Sequence, residues 1–271
     1  MIGASARRRA ARGRRPVILV LPALCALAFL TLPLIGLLVR APWPTLTDRL
    51  FSPEVGEALR LSLYCATLAT VICLVLGIPL AWLLARADVP GRGVIRALVT
   101  VPLVLPPVVG GVALLLVFGR RGLFGQYLND WFGVSLPFTT TGVIIAEAFV
   151  AMPFLVISVE GALRAADTRF EEAAATLGAS AWYTFRRVTL PSVLPGVIAG
   201  SVLCWARALG EFGATITFAG NFPGKTTTMP LAVYLALETD PDAAIVLSLV
   251  LLTVSVAVLV ALRERWIRGA V

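Results

Sequence analysis

The chain is short of charge: only 14% of its 271 residues are Asp, Glu, Lys or Arg, against 59% that are hydrophobic. A soluble domain carries about 25% charged residues, so a water-facing surface is excluded for most of this chain, and its mean hydropathy of +0.92 agrees. Histidine is absent. That removes the commonest proton-relay side chain and weighs against a proton-coupled carrier, although carboxylates alone can relay protons. Lysine occurs once, at Lys225, beside 22 arginines. The four cysteines, Cys25, Cys65, Cys73 and Cys204, show no metal-ligand spacing, and each falls in an apolar run. They read as small buried hydrophobes and carry no information on redox compartment. The alternating pattern of barrel strands is missing as well.

What is present is long apolar runs. Six reach the roughly 20 residues that a bilayer core requires: 17–39, 59–85, 97–118, 140–162, 193–218 and 243–262. Helices are expected for all six, since only helices or closed barrels satisfy backbone polar groups in lipid. The first run follows Arg7, Arg8, Arg9, Arg12, Arg14 and Arg15. It exceeds the 7–15 apolar residues of a signal peptide and reads as an uncleaved first span. With the N-terminus inside, sixteen basic residues fall on the cytoplasmic side and six on the other, with Arg207 inside a span. The positive-inside rule therefore gives an N-in, C-in topology. The net charge of +8 is explained by attraction to an anionic inner leaflet, with no nucleic acid implied. Trp43, Tyr127, Trp131, Phe222 and Tyr234 on the outer side, with Trp82, Trp182 and Trp266 on the inner, read as interface anchors.

The third run contains Pro102, Pro106 and Pro107 followed by Gly110 and Gly111. Proline removes a backbone donor and clashes with the preceding turn. A kinked helix is expected, either lining a pathway or accommodating its packing.

The longest polar stretch on the basic side is 164–192. Asp167 or Thr168 is placed to cap a short helix over 170–177, with Glu171 and Glu172 in its first turn, where carboxylates suit the helix dipole. Gly178 supplies a positive-φ stop. A second helix is expected over 180–188, ended by Leu190-Pro191. Ala173, Ala174 and Ala175 give this knob a small, smooth surface, and Glu171 and Glu172 place charge at its edge. The spacing Glu172-Ala173-Ala174, three residues, Gly178, nine residues, Val188-x-Leu190-Pro191 resembles the coupling loop of binding-protein-dependent ABC importer permeases. Val188 stands where that family usually has Ile.

The resemblance extends from about Glu57 to the last span. It implies an all-α membrane protein with the type I ABC importer permease fold: six transmembrane helices, five of them forming the core. The expected divisions are a basic cytoplasmic tail (1–16), a first helix with its outer loop (17–56), the transmembrane domain (57–265) and a cytoplasmic C-terminal tail (266–271). It also implies a permease homodimer in the bacterial cytoplasmic membrane, two separate ATP-binding cassette subunits and an extracytoplasmic substrate-binding protein. The chain itself would be non-catalytic and hold no cofactor or metal; ATP and Mg would sit on the partner.

The fifth span resembles the oxyanion branch of that family. The run Gly213-Ala214-Thr215-Ile216-Thr217-Phe218, the segment 223–234 and Asp240-Pro241-Asp242-Ala243-Ala244 are similar to molybdate permeases more than to sulfate ones. Physically, Arg207 and Glu211 are four apart and share a helix face. Charges inside a span face the interior or pair, and Glu147 in the fourth span is a candidate third member. The cluster reads as a packing network or as a gate for an oxyanion. Gly210 and Gly213 allow close helix approach, and Thr215 and Thr217 offer hydroxyls to the pathway or back to the helix. The segment 220–226 imitates a phosphate-binding loop, but it has three residues between its glycines where four are needed and no preceding strand. Sulfate, thiosulfate or tungstate is the alternative cargo, and a stand-alone secondary carrier is the alternative of another class.

Overall fold

The computed structural model describes residues 17–268, and every regular element among them is helical. The arginine-rich tail 1–16 and residues 269–271 lie outside the described residues.

Helix α1 (Val17–Val39) carries no charge and is apolar except for Thr31, and its side chains from Leu19 onward are largely exposed. Among the described residues, its main contact is with α13. Cys25 is accordingly exposed, unlike the other three cysteines. The short α2 (Leu46–Leu50) leads to α3 (Pro53–Arg86). There Ser52 caps the helix and Pro53 occupies its first turn, where a missing N–H costs nothing. At 34 residues, α3 is about 50 Å long and overreaches a 30 Å bilayer core. It therefore begins six residues before the apolar run that marks it in the sequence.

The third apolar run is broken in two. Helices α4 (Arg92–Val104) and α5 (Pro107–Phe118) meet at an angle of 117°. Leu105 and Pro106 between them are extended, with ψ of 129° and 130°, because each precedes a proline and is pushed out of the helical region. The expected kink is thus a sharp reversal. Among the described residues, five helices are long and apolar enough to cross a membrane, and six spans result if the α4–α5 pair counts as one.

Beyond α6 (Gly125–Phe132), α7 (Thr140–Ala165) is the most enclosed of the long helices. It packs against α3 and α10 (Leu190–Leu209) through Cys65, Ala66, Ala69 and Cys73 of α3, Ala148, Ala151 and Leu155 of α7, and Val197 and Cys204 of α10. Small side chains let the backbones approach, as membrane helix contacts require. On Gly200 a Cβ would lie 2.9 Å from Ser158 Cβ, and on Gly196 it would collide with Ala162. Gly196-x-x-x-Gly200 is a small-residue motif that marks this interface.

Helix α10 is entered without a break from α9 (Ala181–Thr184) through a π turn over Phe185–Thr189. The expected stop at Leu190-Pro191 does not occur. Leu190 N–H donates to Phe185 O, five residues back, and the wider turn admits the proline that an α-turn would exclude. The fifth run instead ends at Leu209 and resumes as α11 (Gly213–Ala219). Helices α12 (Met229–Thr239) and α13 (Pro241–Arg268) pack on the first turns of α3, with Ser62 Oγ accepting from Met229 N at 2.7 Å. Because α13 runs through Arg268, the separate tail expected from 266 is helical over its first residues.

Asp240 caps α13, accepting from Ala243 N at 3.2 Å and from Arg49 Nη1 of α2 at 2.5 Å. The Arg49 hydrogen bond, aided by the Ala243 amide, holds the Asp240 carboxyl below the usual aspartate range. A depressed folded-state pKa stabilises above the unfolded value of about 4 and ceases to do so as pH falls through the folded value. Thermal melts of wild type and Asp240→Asn should therefore differ at neutral pH and converge in acid.

Candidate coupling knob and pathway cluster

One end of the bundle carries Arg86, Arg92, Arg96 and the segment 164–192. Helix α8 (Arg169–Thr176) starts after Asp167, whose Oδ1 accepts from Arg169 N at 3.0 Å; Thr168 makes no side-chain cap. Its end is a Schellman motif: Ala179 N–H donates to Ala174 O and Gly178 N–H to Ala175 O, both at 3.0 Å, with Gly178 at φ +80°. Ser180 then caps α9, accepting from Tyr183 N at 3.3 Å. The result is a helix–turn–helix knob with exposed Phe170, Leu177, Trp182 and Tyr183. Leu177 is 88% exposed. Trp182 stacks on Phe185, and Phe185 sets its edge on Trp82 of α3.

The sequence-nominated residues separate into two groups. Glu172, Ala173, Gly178 and Pro191 are exposed, and Ala174 is half-buried. Leu190 turns inward against the α3–α7–α10 core. Glu171 also differs from the edge position expected of it: its Oε1 receives Arg86 Nη2 of α3 at 3.2 Å and Thr189 Oγ1 at 3.1 Å.

A second clasp at this end was missed in the sequence. Glu160, 6% exposed, pairs with Arg96 of α4 and with Arg164 at 2.9 Å. Arg92 and Arg164 both donate to Leu84 O, and Arg92 also to Ala85 O, so the last carbonyls of α3 are satisfied by arginines. Glu160 and Arg164 at a spacing of four were the available signal. These arginines read only as topology markers when taken singly.

Towards the other end, Arg207 and Glu211 form the expected pair, Nη2 to Oε2 at 2.6 Å, although α10 stops between them at Leu209. Glu211 is 1% exposed, and its second oxygen accepts from Ala214 N at 2.7 Å. The carboxylate thus bridges the end of α10 and the start of α11. Helices α11 and α5 are in direct contact: on Gly213 a Cβ would lie 2.8 Å from Pro107 Cβ, and on Gly111, 2.6 Å from Thr217 Cβ. Gly210 makes no such approach; a Cβ there would meet only Ala206 O of its own turn, at 3.6 Å. Thr217 bonds back to Gly213 O at 2.8 Å. Thr215 Oγ1 and Glu147 Oε2 are buried without a hydrogen-bond partner among the described residues. The phosphate-loop imitation is a tight turn closed by Thr226, whose hydroxyl accepts from Phe222 N at 2.8 Å.

The family model "Binding-protein-dependent transport system inner membrane component" matches residues 74–269. The chain belongs to that family. The resemblance carried by the 172–191 spacing therefore stands, and the protein is a multi-pass membrane component of such a system. The molybdenum transport system permease protein ModB of Mycobacterium tuberculosis is 49% identical over 90% of this chain and 92% of its own length. ModB of Escherichia coli is 43% identical over 80% of this chain and 95% of its own. The sulfate transport system permease CysT of Salmonella typhimurium is 37% identical over 85% and 84%. A bacterial ABC transporter that imports the acidic polysaccharide alginate superposes with a TM-score of 0.74 at 19% identity, covering 93% of this chain and 94% of that one. At that identity the likeness shows the permease fold.

Proposed function

We propose that this chain is the permease subunit of an ABC importer for molybdate. Substrate choice rests on one observation. Identity to molybdenum permeases is 43–49%, against 36–37% to bacterial sulfate permeases, over similar shares of the chain. In this reading the N-terminus and the knob face the cytoplasm. Two copies of the chain form one path, two separate ATP-binding cassette subunits receive the knobs, and an extracytoplasmic binding protein delivers the oxyanion. ATP and Mg act on the cassette subunits. Exposed apolar side chains on an arginine-rich face suit burial against another protein, which supports the knob as the docking element. Glu172, Ala173, Ala174, Gly178 and Pro191 contribute its exposed surface and shape. Arg207, Glu211, Glu147, Gly213, Thr215 and Thr217 cluster where α10, α11, α5 and α7 meet, and are assigned to the path or its gate. Closure of the cassettes would bias a rigid-body switch between inward-open and outward-open arrangements.

The test is uptake of labelled molybdate into proteoliposomes containing the chain with its cognate ATPase and binding protein. ATP-dependent uptake that excess sulfate leaves intact is expected. Competition by modest sulfate would reassign the system to sulfate. Uptake driven by an ion gradient without the ATPase would defeat the importer reading.

A further inference from the structure

Glu171 and Glu172 are adjacent, yet only Glu172 is free to meet a partner. Helix α8 buries none of its own residues, so apolar packing does not hold α8 to the bundle, whereas α9 is held by the Trp182–Phe185–Trp82 stack and by its unbroken run into α10. Among the described residues, every side-chain hydrogen bond from α8 to another element is made by Glu171. Both bonds converge on one carboxylate oxygen. Arg86, the last residue of α3, also donates to Ala166 O in the connection that leads into α8. Thr189 is 2% exposed and sits at the foot of α10. Helices α3 and α10 are the two that sandwich α7 in the core, so both anchors are rigid.

We infer that Glu171 is the positioning residue that transmits motion of α8 into the bundle, fastening it to α3 through Arg86 and to the foot of α10 through Thr189. This rests on the proposed coupling to an ATPase and adds the route by which the load travels. Helix α10 has 20 residues, about 30 Å of unbroken rod. Its foot meets Glu171 through Thr189, and its far end meets Glu211 through Arg207, which in turn caps α11. A tilt imposed at the knob therefore arrives at the α10–α11 break. Without the Glu171 node, α8 would be attached mainly through its two covalent ends and could shift without moving α3 or the foot of α10.

The experiment compares wild type, Glu171→Ala, Thr189→Val and the exchanged pair Arg86→Glu with Glu171→Arg. Each is purified with its cognate ATPase and binding protein and reconstituted, and labelled molybdate taken up per ATP hydrolysed is measured. Coupling networks shift such couplings by about 2- to 30-fold. Glu171→Ala is expected to lower uptake per ATP about three- to tenfold while the ATPase still co-purifies in full, and the exchanged pair to recover most of the loss. Thr189→Val keeps the shape of a buried side chain, removes one bond and should give a smaller loss in the same direction. An unchanged ratio in both single variants would overturn the inference. So would loss of the ATPase in proportion to uptake, since Glu171 would then be a docking residue. Wild-type uptake that needs no ATP would defeat the importer reading itself, before any variant is compared.

Discussion

Glu211→Ala should destabilise the protein by about 3–5 kcal/mol, the usual result of removing one member of a buried ion pair, and should abolish uptake. Glu211 is 1% exposed and both its oxygens are used, one by Arg207 at 2.6 Å and one by Ala214 N at 2.7 Å. Removing the carboxylate strands an arginine inside an apolar span, where an unpaired charge is expensive. It also leaves an amide in the first turn of α11, that of Ala214, without its acceptor. Glu211→Gln keeps the acceptor for Ala214 and loses the charge, so an intermediate cost is expected. The double variant Arg207→Met with Glu211→Met strands no charge and should regain most of the stability, because a buried pair often contributes little over an apolar replacement. The native cysteines provide the assay. Cys65, Cys73 and Cys204 are buried while Cys25 is exposed, so a thiol-reactive dye reports unfolding above a constant background. A stable double variant with restored uptake would make the pair a packing element. A stable double variant that does not transport would place it in the path. A Glu211→Ala protein that melts with wild type would refute the bridging role.

The spans were legible because apolar length is a one-dimensional property; 17–39 matches α1 and 140–162 matches most of α7. The knob was legible for a different reason. Gly178, Ser180 and the alanines act locally through helix caps and stops, and α8, the Gly178 turn and the start of α9 follow the expected course. Two readings failed where a local rule met a longer-range one. Leu190-Pro191 has the form of a helix stop, but the π turn over Phe185–Thr189 changes the hydrogen-bond register and carries the helix through. In the fifth run, Gly210-Glu211-Phe212 is uninterrupted by proline and reads as continuous helix. The break there is sustained by Glu211 bonding forward to Ala214, a contact that composition does not reveal.

Partner choice was the least legible property. The spacing placed Glu171 and Glu172 together at the edge of the knob, and only the fold separates them, turning Glu171 towards Arg86, 85 positions earlier, and leaving Glu172 outside. Arg92, Arg96 and Arg164 show the same limit. As sequence they mark the cytoplasmic side; in the fold they also close around Glu160 and the last carbonyls of α3. A helical period predicts neighbours within one helix, whereas these partners come from three.

The contact between α5 and α11 supports the second large effect. Gly111→Ala is expected to cost about 1–3 kcal/mol, the range for overpacking a close contact, and to reduce uptake sharply. The added Cβ would lie 2.6 Å from Thr217 Cβ and 2.9 Å from Ala214 O, so relief requires the helices to separate, since Ala214 O is backbone. Gly213→Ala should act alike, because its Cβ would meet Pro107 Cβ at 2.8 Å and Val108 N at 3.2 Å. Together the two should cost less than their sum, since separation caused by the first makes room for the second. Gly56→Ala in α3 is the control. Nothing lies within 4 Å of its added Cβ, and alanine is favoured over glycine in a helix by about 0.5–1 kcal/mol, so this variant should melt no lower than wild type. A Gly111→Ala protein as stable and active as Gly56→Ala would mean that α5 and α11 do not bear on one another. Separation, by contrast, would pull α11 away from the Glu211 carboxylate that caps it, so the Gly111 and Glu211 variants should fail in the same way: uptake lost with the ATPase still bound.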